Sequence, residues 1–192
     1  MKKINTLFSL IAIFFLASCS GGGKKVLIMA SGKVTLQGNT VTLAPGTSHT
    51  EVTYEPTGDN ISIVSPSGNK EVAVKEPGLY ILNLKADTIV GSYQETGTDN
   101  SQKVISEDDV WNRVDSLTKL MSGANVSAAS RNYNIPPMEI SRITANTDAE
   151  IIGPYRKIPG SFDPSKKHEV YKFSTNKEIK EIIDNVKKKL AG

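Results

Sequence analysis

The stretch KVTLQGNTVTLA, Lys33 to Ala44, decides the fold of this chain. Val34, Leu36, Val41 and Leu43 alternate with Lys, Thr or Gln. Successive side chains of a strand point to opposite faces, so a period of two gives one apolar face and one wet face, as in an antiparallel sheet. Gly38-Asn39 separates the two runs with residues suited to a tight hairpin.

The same pattern extends in both directions. VLIMA (26–30), EVTYE (51–55), ISIV (61–64), EVAVK (71–75), YILNL (80–84) and TIVGSY (88–93) are short apolar or alternating runs. Turn material divides them at Ser31-Gly32, Pro45-Gly46, Gly58-Asp59-Asn60, Ser67-Gly68-Asn69 and Pro77-Gly78. About eight short strands with frequent turns predict a sandwich or barrel, and residues 25–94 are read as one antiparallel β-sandwich domain. Glu76-Pro77-Gly78-Leu79-Tyr80-Ile81-Leu82 resembles the proline-glycine-x-tyrosine corner of immunoglobulin-like and prealbumin-like bacterial sandwiches. The resemblance implies that class of fold. The proline presets its φ, the glycine permits a sharp turn, and Tyr80 is expected to bury its ring and bond a loop backbone through its hydroxyl.

From Gln94 to Lys103 the text, QETGTDNSQK, has no apolar residue, and 95–105 is read as a linker. Ser106 followed by Glu107-Asp108-Asp109 has the form of a helix N-cap with a carboxylate three residues on. Val110, Val114, Leu117 and Met121 fall at helical spacing and Gly123 is placed to end the helix, which predicts a helix over about 107–122. Prolines at 136, 137, 154, 159 and 164 forbid a long helix in the next stretch. MEISRIT, AEIIGPYRKI and HEVYKF are its candidate strands. Thr175 to Glu178 repeats the capping arrangement, and Ile179, Ile182, Ile183, Val186 and Leu190 form an apolar helical face. Residues 106–192 are therefore expected to form a small α+β unit with two amphipathic helices, giving an α+β chain overall.

The N-terminus carries an address. Lys2 and Lys3, an apolar run from Ile4 to Phe15 and the small residues Ala17 and Ser18 have the layout of a secretory signal, residues 1–18. The run is shorter than the roughly 20 residues a spanning helix needs. Leu16-Ala17-Ser18-Cys19 resembles the lipobox of bacterial lipoproteins, and the resemblance implies lipid attachment at Cys19 with cleavage before it. Several acyl chains anchor stably where one does not. Residues 19–24 are then the lipidated cysteine and a glycine-rich tether. Ser20 is not the aspartate that resembles an inner-membrane retention signal, and no acidic cluster follows Cys19. The expected location is the outer membrane, lipid-anchored and facing the periplasm.

The chain has 23 basic residues, of which Lys2 and Lys3 lie in the leader, against 20 acidic ones, so the mature part is close to neutral. Its basicity gives no argument for nucleic acid. With Cys19 taken by lipid no internal disulfide is available. His49 and His168 lie apart in strand-like text, far from cysteine, so no metal site or cofactor is expected. No nucleophile elbow, phosphate loop, dinucleotide fingerprint or zincin motif occurs. Glu107, Asp108 and Asp109 point about 100° apart around a helix and are read as favourable N-terminal charge. The uneven feature is arginine. Arg131, Arg142 and Arg156 fall in the proline-punctuated region with Tyr133, Tyr155 and Phe162. Arginine and tyrosine suit binding surfaces, so Arg131, Tyr133, Arg142, Tyr155 and Arg156 are the candidate partner-binding residues. The expected function is that of a non-enzymatic, membrane-anchored envelope lipoprotein that binds a protein partner. The alternative is a lipoprotein that acts on or captures cell-wall or polysaccharide material.

Overall fold

The computed structural model describes residues 23–94, 106–153 and 168–190. KVTLQGNTVTLA closes as the expected hairpin: Gln37 faces Thr40 across a two-residue loop in which Gly38 has φ 57°, and Val34 pairs with Leu43 and Leu36 with Val41. The hairpin is longer than its turn signals predict. VLIMA and KVTLQ join in one strand, β1 (Lys24–Gln37), and TVTLA and EVTYE in another, β2 (Thr40–Tyr54).

Ser31-Gly32 and Pro45-Gly46 are thus a shared bend and not two chain reversals. The register jumps there, from Ser31 opposite His49 to Gly32 opposite Pro45. Both glycines are required by closeness. Gly32 has φ 118° and a Cβ on it would lie 2.2 Å from the Ala44 carbonyl oxygen, while a Cβ on Gly46 would lie 2.8 Å from the Gly32 Cα.

The bend gives each half of the hairpin its own neighbours. The first half of β1 pairs in parallel with β5 (Gly78–Leu84), which pairs antiparallel with β8 (Ile140–Thr144). The start of β2 pairs in parallel with β3 (Asn60–Ser65), which forms a hairpin with β4 (Gly68–Ala73). The resulting six-stranded order is β4-β3-β2-β1-β5-β8. The sheet curls around its own core of Val26, Ile28, Val41, Ile61, Ile63 and Leu82 with their neighbours, and nearly closes. Its edges approach where Lys70 meets Glu139 at 2.5 Å and the Ser65 hydroxyl contacts Met138 Sδ at 3.6 Å.

A second sheet, order β7-β6-β10-β9, is built from β6 (Ile89–Gln94), β7 (Asn132–Ile135), β9 (Glu150–Ile152) and β10 (Val170–Thr175). Leu27, Met29, Leu79 and Ile81 of the first sheet meet Ile89, Ile135, Ile151, Tyr171 and Phe173 of the second in one buried cluster. Gly91 makes room there, since a Cβ would come within 2.3 Å of the Phe173 ring. Two sheets and two helices make an α+β fold. Both sheets draw on both halves of the chain. β6, read from sequence as the end of the first unit, pairs with β7 and β10, and β8 from the second unit extends the first sheet.

The helices cover the outer face of the second sheet. α1 (Glu107–Met121) begins as expected: the Ser106 hydroxyl accepts from the Asp109 amide at 3.1 Å and the Asp109 carboxylate accepts from the Ser106 amide at 3.1 Å. It ends before Gly123, at φ 78°. α2 (Asn176–Leu190) carries the second capping box, with the Thr175 amide donating to Glu178 Oε2 at 2.7 Å. Val90, Val114, Leu120, Ile179 and Ile183 pack together beneath both helices. Ile182, expected on the same apolar face, is 48% exposed, because α2 seats on the sheet through Ile179 and Ile183 and turns Ile182 to its flank. Among the described residues no helix is long and apolar enough to cross a membrane.

One polar side chain sits at the junction of the two sheets. Asn83, fully buried in β5, donates to the carbonyls of Ile135 at 2.8 Å and Asp87 at 2.9 Å, and its Oδ1 accepts from the Lys85 amide at 2.9 Å. Its backbone also bonds Met138 and Glu139 in the connection from β7 to β8.

Candidate partner-binding site

The corner at Glu76–Tyr80 has the geometry its residues predict. Tyr80 is 5% exposed and its hydroxyl donates to the Glu76 carbonyl at 2.7 Å. Gly78 lies at φ 142°, and a Cβ there would come within 2.3 Å of the Thr144 carbonyl oxygen. Arg142 reaches across from β8. Its Nε and Nη2 donate to the Pro77 carbonyl at 3.0 and 2.7 Å, and its Nη1 pairs with Glu76 at 2.8 Å. The guanidinium holds the corner of its own chain.

Arg131 immediately precedes β7 and Tyr133 lies within it, and both side chains reach Tyr171 of β10. Arg131 occupies the left-handed region, φ 54°, which turns its side chain over the second sheet. Tyr133 points inward at 6% exposure, with its ring against Tyr171 and Phe173 and its hydroxyl donating to the Ile143 carbonyl. It belongs to the core and offers little to a surface.

The Arg131 guanidinium lies over the Tyr93 ring, 3.7 Å from its centroid, a cation–π geometry. Its Nε and Nη2 donate to the Tyr171 hydroxyl at 3.2 and 2.9 Å, and Nη2 also meets Glu169 Oε1. The Glu169 carboxylate accepts further bonds from the Tyr171 hydroxyl at 2.7 Å, Thr144 Oγ1 at 2.9 Å and Asn146 Nδ2 at 3.0 Å. Burial works to raise the Glu169 pKa, but the bonds from Tyr171, Asn146, Thr144 and Arg131 outweigh it and hold the carboxyl below its usual range. Burial and the bond to Glu169 push the Tyr171 phenol up to about 12. For Arg131, burial opposes the charge, and the bonds to Tyr171 and Glu169 more than offset it.

This cluster ties β6, the residue before β7, the end of β8 with the segment after it, and the entry to β10 into one bonded patch. Arg131 nonetheless keeps 37% of its side chain exposed, so part of it stays open to solvent beside this cluster. Of the five candidate binding residues, the structure brings Arg131 and Tyr133 together and sets Arg142 at the corner. Tyr155 and Arg156 lie outside the described residues, as do Phe162, Cys19 and residues 1–18, which are expected to form a leader.

Glu169, Tyr171 and Tyr93 complete the patch without having been singled out in sequence. Alternation in HEVYKF places Glu169 and Tyr171 on one side of a strand. That signal cannot say which arginine the strand meets.

His49 Nε2 lies 2.9 Å from Glu51 Oε1 on the same strand, and among the described residues no three His, Cys, Asp or Glu side chains gather as a metal site would require. Beside the N-terminal end of β1 a cavity of about 240 Å³ is lined by Lys25, Thr53, Asp148 and Glu150. Lys25 Nζ donates to the Thr147 carbonyl at 3.0 Å. No protein-family model matches the chain, and no curated protein and no solved structure is significantly similar to it.

Proposed function

We propose that the mature chain is a lipoprotein of the bacterial cell envelope, anchored through lipid on Cys19 at the periplasmic face of the outer membrane, and that it binds a protein partner as a component of an envelope assembly. The observation that carries the reading is the lipobox resemblance at Leu16-Ala17-Ser18-Cys19 immediately ahead of the folded body. Gly23 is already held to the body, its carbonyl accepting from the Gly78 amide at 3.1 Å. Four peptide units separate it from Cys19, a span of about 14 Å at full extension. A body so closely tethered holds the end bearing Lys24, Pro77 and Arg142 toward the bilayer and leaves the far surfaces to the periplasm. The partly exposed Arg131 beside Tyr93 supports protein binding, since planar donor forks and rigid rings are enriched where proteins meet.

Radiolabelled palmitate should incorporate into the wild-type chain and not into Cys19→Ala, which should also leave the membrane fraction. Unchanged labelling and retention would sink the anchored reading. The first half is also read as an immunoglobulin-like or prealbumin-like sandwich variant, a reading supported by the Tyr80 corner. An experimental structure with the first sheet fully closed as a barrel would refute it. The alternative, action on or capture of cell-wall or polysaccharide material, draws on Asp148 and Glu150 around one cavity. If Asp148→Asn with Glu150→Gln leaves binding to purified peptidoglycan and envelope polysaccharide unchanged, that alternative falls.

A further inference from the structure

Between α1 and α2, over the outer face of the second sheet, lies an open groove of about 340 Å³. Its origin is in the alternation of β10. Tyr171 and Phe173 face the core between the sheets, so Lys172 and Ser174 face the helices, with Ser92 of β6 directly opposite Lys172. A helix packs poorly on a charge and two hydroxyls, and the two helices meet only over Val90 and its neighbours. Leu117 and Ile182 flank the polar floor, and Arg113 projects from α1 at its rim.

We infer that this groove receives an acidic peptide segment of a partner protein, carrying at least one large apolar side chain. The inference rests on the protein-binding reading above and names the partner's chemistry. Charge complementarity selects this occupant. Among the described residues no carboxylate lines the groove, and neither Arg113 nor Lys172 belongs to any of the ion pairs. Lys24, Lys70, Lys119, Arg131 and Arg142 each have a carboxylate partner. The half-exposed Ile182 beside Leu117 offers an apolar seat, and the Ser92 and Ser174 hydroxyls can bond a peptide backbone. Among the described residues no aromatic ring lines the groove, so these offer a sugar no stacking surface. An acyl chain would lay methylenes against hydroxyls and charges.

The test is selection of an unbiased phage-displayed dodecapeptide library on the whole immobilised chain, followed by anisotropy titration of a fluorescein-labelled winner. The winners should be rich in Asp or Glu around Leu, Ile or Phe. Arg113→Glu combined with Lys172→Glu should weaken the winner about tenfold or more, as should Ile182→Asp, and added salt should weaken it further. A winner remade with Lys for its acids should regain binding to the charge-reversed chain, and Lys33→Glu, on an exposed strand position, should change nothing. All the altered side chains are exposed, and an unchanged urea midpoint separates lost contact from lost fold. A basic or neutral consensus, no enrichment, or self-association through the groove in sedimentation equilibrium would overturn the inference. Acidic winners indifferent to all three groove substitutions would overturn it while leaving protein binding elsewhere intact.

Discussion

Replacing Asn83 tests whether the junction of the two sheets governs stability. Its amide makes three hydrogen bonds of 2.8–2.9 Å at a fully buried position. Each such bond contributes about 1 kcal/mol net, so their joint loss costs about 3 kcal/mol. Asn83→Leu keeps most of the volume but leaves the Ile135 carbonyl buried and unpaired, while the partly buried Asp87 carbonyl and Lys85 amide can recover water. Asn83→Ala adds an empty space to the same loss. Both substitutions should therefore lower the free energy of unfolding by about 2–4 kcal/mol, a large share of the 5–15 kcal/mol typical of a domain. Urea denaturation of the chain from Ser20 onward, followed by fluorescence and circular dichroism together, gives the value from the shift in midpoint at constant slope. Amide exchange should quicken at Met138 and Asn83, whose backbone bonds depend on the same junction. A loss below about 1 kcal/mol in both variants would refute the assignment, because the amide would then be exchanging its partners for water at little cost.

Gly32→Ala places a Cβ 2.2 Å from the Ala44 carbonyl oxygen on a backbone with φ 118°, and should cost about 2–4 kcal/mol in the same urea assay, whereas Gly38→Asn in the open hairpin loop should cost well under that. Glu169, held below its ordinary value, favours the folded state above the unfolded pKa of about 4.5, and that contribution disappears as pH falls; unfolding midpoints of Glu169→Gln should be flatter than wild type across this acid range. Tyr171 acts with the opposite sign: its phenol, raised from 10.0 to about 12, contributes stability that is whole below pH 10 and lost as pH rises toward 12, so Tyr171→Phe should resist alkaline unfolding better relative to its own neutral-pH value. Ultraviolet titration at the phenolate band should show one fewer late-titrating tyrosine in that variant.

Much of the fold was legible in local pattern, because hairpins and caps are local physics. Gly38-Asn39 between two alternating runs closes as written, and both capping boxes form where Ser106 and Thr175 stand three residues before a carboxylate. The Tyr80 corner is likewise contained in a few consecutive residues, and its hydroxyl finds a carbonyl four positions back. The leader and Cys19 are read by position and composition alone, and the expectation of a lipid anchor stands on them.

What the tertiary structure decided is how distant pieces meet. Whether Ser31-Gly32 reverses the chain or only bends it depends on Pro45-Gly46 approaching from the opposite strand, a contact that neither pair encodes alone. Strands β6 and β8 exchange sheets across the expected boundary at 94, since a strand joins whichever edge offers unpaired backbone and a matching apolar face. The three arginines noticed in sequence take separate fates for the same reason: Arg142 meets the Pro77 carbonyl 65 residues away, Arg131 meets Glu169 at a distance of 38, and Arg156 lies outside the described residues. The sequence determined that Arg131, Arg142 and Arg156 fall in one proline-punctuated region interleaved with Tyr133 and Tyr155. Only pairing register, a long-range outcome of packing, decided that Tyr133 would be buried, Arg142 occupied, and Arg113 and Lys172 left facing an open groove.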